Sequence, residues 1–138
     1  MKFPYIKFPS TDPQRKWISR PLIPIKLIGP KGNWEGYALV DSGADRSLFN
    51  IAIAEKTGID FGKDLTEDFS GIEGGTLRAN LSKVKLQIIG TEEMVEVIAG
   101  FIDSSNVSAI LGQDGFFDVF RIKFERDHGL FEIIPVSK

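Results

Sequence analysis

The sequence predicts an all-β domain, a small closed or partly open barrel with one or two short helices and a projecting hairpin. Three observations carry that prediction. Short runs rich in Ile, Val, Leu and Phe recur along the chain: Leu22 to Ile28, Trp34 to Val40, Leu77 to Ile89, Met94 to Ile102, Ala109 to Leu111 and Phe120 to Glu125. Turn residues punctuate them at regular spacing, as in Gly29-Pro30-Lys31-Gly32, Asp103-Ser104-Ser105-Asn106 and His128-Gly129. Only two stretches, Asn50 to Thr57 and Gln113 to Val119, read as helix. Seven or so short strands with few helices are the pattern of a small β-barrel.

Composition bounds the rest. The 138 residues suit one domain, and 42% hydrophobic content suffices for a single core. With 17 basic and 19 acidic residues the net charge is −2. No basic stripe marks a nucleic-acid partner. One His and no Cys exclude a Cys nucleophile, a Cys-rich zinc site and a multi-His metal site within one chain. No metal or other cofactor is expected. His128 falls in Arg126-Asp127-His128-Gly129, the chemistry of a turn rather than of a catalytic triad. No run is long and apolar enough to cross a membrane as a helix. Met1-Lys2-Phe3-Pro4-Tyr5 has no hydrophobic signal core. A cytoplasmic protein without a membrane partner is the expectation.

In order, residues 1–20 hold Pro4, Pro9 and Pro13 among Phe3, Tyr5, Phe8 and Trp17. Proline fixes an extended path, and the aromatics favour packing on the body or on a partner chain. We read an extended arm over 1–20 and one folded domain over 21–138. Leu22 to Ile28 reads as a strand in which Pro24 implies an edge or a bulge. It returns through a Gly-Pro-Lys-Gly turn into Trp34 to Val40. Asn50 is a candidate helix cap and Gly58 a candidate stop. Gly71, Gly74 and Gly75 surround Ile72 and Glu73 at the tip of a long hairpin that continues from Leu77. Ala109 to Leu111 is a short buried strand broken by Gly112, with a short helix after it. Phe120 to Glu125 and Leu130 to Val136 form a closing hairpin.

The chemistry concentrates in Ala38-Leu39-Val40-Asp41-Ser42-Gly43-Ala44-Asp45-Arg46-Ser47-Leu48-Phe49. A buried strand delivers a carboxylate into a tight turn, where Ser42 can hydrogen-bond and Gly43 permits close backbone approach. The stretch resembles the active-site loop of the retropepsin-like aspartic proteases, apolar-apolar-Asp-Thr/Ser-Gly-Ala. The order of the later segments adds to the resemblance: Leu48-Phe49, a short helix, a Gly-rich hairpin, then Ile110-Leu111-Gly112. It extends over about residues 22 to 136. It implies an acid-protease barrel in which Asp41 is catalytic and Ser42 and Gly43 support its loop. Ala44, Asp45, Ile72, Glu73, Gly74 and Gly75 would contact substrate, the last four on a flap that closes over a peptide. Ile110, Leu111 and Gly112 would form the second supporting segment. One departure stands out. Many retroviral members carry Arg after the apolar-Gly pair, where this chain has Gln113, which offers neither a charge nor a bidentate fork. Arg46, beside Asp45, is a candidate substitute.

Hydrolysis by this route needs two carboxylates and a water. In aspartic proteases as a class, two carboxyls a few ångströms apart share one proton. Asp12-Pro13, Asp60-Phe61 and Asp103-Ser104 lack the glycine, so the chain has one such loop. The second carboxylate would be Asp41 of another copy, and the expected assembly is a two-fold homodimer acting on peptide or protein substrate. A non-catalytic peptide-binding or dimerisation module on the same fold is the alternative. A calcium loop starting at Asp41 is excluded, because Arg46 and Ala52 stand where such a loop needs Gly and Glu.

Overall fold

The computed structural model describes residues 1–60, 65–70 and 74–136. Its centre is a closed six-stranded β-barrel. Strand β4 (Leu22–Gly29) turns through Pro30-Lys31 into β5 (Gly32–Val40). Next come β6 (Ser47–Asn50) and helix α1 (Ile51–Thr57), then β7 (Thr66–Ser70), β8 (Thr76–Ile88), β9 (Met94–Ile102) and β10 (Ala109–Leu111). The order around the sheet is β4-β5-β10-β6-β9-β8-β7, and a β4–β8 pairing closes the barrel, leaving β7 as an outer flange on β8. Closure removes the open edges that a six-stranded sheet would otherwise present.

Pro24 does not mark an edge strand. It pairs with Tyr37, and its carbonyl accepts from Ile89 N–H at 2.9 Å. Proline's missing donor therefore faces the β8 side, one residue past the last registered β4–β8 pair, Ile25↔Ile88, where the ladder is ending.

Alternation explains the burial. In β4, Ile23, Ile25 and Leu27 are fully buried while their neighbours are half-buried. They join Leu86, Ile88, Val97, Phe101, Leu111 and Phe116 in the main core. A second, smaller cluster of Leu48, Ala79, Ile102 and Val107 has Phe69, Leu77 and Ile110 packed against it. Helix α1 caps as the sequence predicts. The Asn50 side chain accepts from Ala52 N–H, and Gly58 closes the helix at φ 73°.

The extended arm over 1–20 is built of three short strands. Strand β1 (Lys2–Pro4) pairs with the C-terminal β12 (Leu130–Pro135), which pairs in turn with β11 (Phe120–Glu125). Strands β2 (Ile6–Pro9) and β3 (Trp17–Arg20) form a separate two-stranded hairpin. Among the described residues there are twelve strands, against the seven or so expected. The helix expected over Gln113 to Val119 is not regular. Asp114 is extended, at ψ 119°, and Gly115 sits at φ 90°, so the backbone kinks there before a single turn around Phe116 to Val119. The reason is that Gln113 and Asp114 N–H donate sideways, to the carbonyls of Ala44 and Asp45, each at 2.8 Å.

Candidate active site

Strand β5 ends at Val40, and Asp41 begins the turn. Two features hold this residue. Its backbone N–H donates to Leu111 O at 2.9 Å, extending the parallel β5–β10 register of Leu39↔Ile110 and Val40↔Leu111. Its side chain is held by the turn itself: Gly43 N–H donates to Asp41 Oδ1 at 2.9 Å. The turn closes with Ala44 N–H donating to Asp41 O at 3.2 Å. The carboxylate is thus oriented by the backbone of its own loop while remaining open to solvent on one side.

A second segment lies directly beside this loop. Strand β10 is inserted between β5 and β6, parallel to the first and antiparallel to the second. It brings Ile110, Leu111 and Gly112 next to Asp41. Gly112 has no room for a side chain, since a Cβ there would lie 2.7 Å from the carbonyl oxygens of both Ala44 and Arg46. Its N–H donates to the fully buried Ser47 hydroxyl at 3.1 Å. Gln113 then reaches back, and its Nε2–H donates to Ser42 O at 2.7 Å. Two segments about 70 residues apart in sequence are laced together around one carboxylate.

Asp41 opens into a cleft of about 450 Å³ lined by Gly43, Ala44, Asp45 and Arg46 on one side and by Glu67 to Ser70 of β7 on the other. Leu48, Phe69 and Ile110 give it apolar wall, continuous with the smaller core cluster. Of the residues expected to meet substrate, Ala44 and Asp45 line this cleft. Gly74 and Gly75 lie at the exposed start of the β8 limb and do not line it. Gly71, Ile72 and Glu73 lie outside the described residues. Ser42 is exposed on the other side of the loop. There, with Arg20, Pro21, Leu39, Val40, Asp41 and Phe124, it borders a second concavity of about 470 Å³.

Arg46 does not support Asp45. Its Nε donates to Glu67 Oε2 at 2.8 Å, which ties the Asp41 loop to β7. The cleft-lining Glu67 and Asp68 escape a reading of the sequence because acidic residues are depleted in strands. The only signal is the alternation through Phe69. Among the described residues no cluster of His, Cys, Asp or Glu could hold a metal ion. Among them, too, no helix is long and apolar enough to cross a membrane. No family model matches the chain, and no curated protein matches it.

Proposed function

We propose that the chain is one half of an aspartic endopeptidase of the retropepsin-like type, with Asp41 contributed by each of two copies. The observation that carries this reading is the Gly43 N–H donating to Asp41 Oδ1 at 2.9 Å, beside a cleft that β7 lines on its other side. A backbone donor holds the carboxylate in a fixed orientation without consuming its second oxygen. That is the geometry a general base needs.

With a second copy related by a two-fold axis, two Asp41 carboxyls would share one proton. Like charges a few ångströms apart do not both ionise. The ionised member takes a proton from a water lying between them as that water attacks the scissile carbonyl. The protonated member donates to the carbonyl oxygen, and the proton taken from water passes to the leaving amine. No cofactor enters. An extended peptide would lie along the cleft between the Ala44-Asp45 wall and β7, pairing with backbone as an added strand. The expected partners are a second copy and a peptide or protein substrate.

The test is hydrolysis of an unfolded protein substrate by the wild type and by Asp41→Asn. The substitution keeps shape and removes the base, and a loss of at least about a thousandfold is expected with the fold unchanged by circular dichroism. A variant that cleaves at the wild-type rate contradicts the reading. Retained peptide binding without cleavage in both proteins favours the non-catalytic module.

A further inference from the structure

We infer that the β2–β3 hairpin is a clasp that grips a second copy of this chain. The inference rests on the two-chain reading of Asp41. A two-stranded hairpin alone in water is marginal at best. This one forms its own sheet, apart from both the barrel and the terminal strands. Its register sets Phe8 opposite Ile18 and Ile6 opposite Arg20, so these four side chains share one face. Phe8 is 42% exposed on that face. The other face carries Lys7 and Ser19, which border a cavity against Tyr5 and the 126–129 turn, and, farther out, Pro9 and the exposed Trp17.

The apolar face leads to the site. Arg20, at its end, borders the concavity that also holds Asp41, Ser42 and Phe124. A partner whose Asp41 loop meets this one must therefore stand beside Ser42, within reach of the Ile6-Phe8-Ile18 face. Charge favours the same occupant. The hairpin carries Lys7, Arg15, Lys16 and Arg20 against Asp12 alone, whereas the whole chain has net charge −2. Without its own hairpin, a second copy carries 13 basic residues (17 less 4) against 18 acidic ones (19 less 1), a net charge of −5. Opposite charge steers the encounter, and the buried aromatic supplies the hold.

The experiment is sedimentation of the full chain over a dilution series for the wild type, Phe8→Glu and Met94→Ser. Met94 is an exposed apolar residue on β9 that borders neither the Asp41 cleft nor the concavity beside it. The dissociation constant of the dimer should rise about tenfold or more in Phe8→Glu and stay at the wild-type value in Met94→Ser. Hydrolysis per dimer at saturating protein should be unchanged in both. If Phe8→Glu alters the near-ultraviolet circular dichroism, Phe8→Ser replaces it and is read the same way. Equal dissociation constants for the wild type and the Phe8 variant overturn the clasp and leave the two-chain site standing. A wild type that cleaves while monomeric at every concentration removes the two-chain site, and the clasp with it.

Discussion

Gln113 donates its side-chain amide to the backbone carbonyl of Ser42 at 2.7 Å, joining the segment after β10 to the turn that presents Asp41. Gln113 is here a neutral donor of a single hydrogen bond. The bond is exposed, so its removal costs little stability but frees the loop. Gln113→Ala should lower hydrolysis by up to about tenfold, equivalent to about 0.5–1.5 kcal/mol, with the melting temperature nearly unchanged. Gln113→Glu should lose more, because a carboxylate oxygen would then face the Ser42 carbonyl. Steady-state kinetics and a thermal melt on both variants check this.

Gly112 is a packing requirement rather than a flexible joint. A methyl group there would press on the carbonyls of Ala44 and Arg46, both backbone atoms that cannot swing aside. The loop would have to move, and the Gly112 N–H bond to Ser47 with it. Gly112→Ala should destabilise the fold by about 3 kcal/mol. A lowered midpoint in urea unfolding with an unchanged slope is the expected signature.

The Arg46–Glu67 pair is partly shielded, with side chains 21% and 37% exposed, and it links the Asp41 loop to the outer limb β7. A double-mutant cycle with Arg46→Ala and Glu67→Ala should give a coupling of about 1 kcal/mol. That coupling should shrink in 1 M salt, where screening acts over about 3 Å. Zero coupling at low salt would show that the pair contributes nothing to holding β7 against the Asp41 loop.

Local signals were the ones the sequence displayed. Asn50 and Gly58 fix α1 through bonds spanning two to four residues, and the Gly-Pro-Lys-Gly turn fixes the β4–β5 hairpin. Both are legible because the chemistry that decides them is adjacent in the chain. Asp41 and Ile110-Leu111-Gly112 were legible through a family resemblance, which supplied their juxtaposition. Strand β1 was not, since Lys2 finds its partner at Glu132 and nothing near Lys2 announces that pairing. The kink at Gly115 was hidden for a similar reason. Helical spacing over Gln113 to Val119 loses to the two backbone bonds that Gln113 and Asp114 give to the Asp41 loop. Arg46 reads naturally as a neighbour of Asp45, but its guanidinium is engaged by an acid on β7.

The central claim is that the reacting centre needs one carboxylate from each of two chains. Subunit mixing tests it most directly. Wild type and Asp41→Asn are combined at equal concentration, allowed to exchange subunits, and assayed at constant total protein. If both carboxylates are required, only wild-type pairs cleave, and about a quarter of the activity remains. If each chain acts alone, about half remains, and that result would contradict the account.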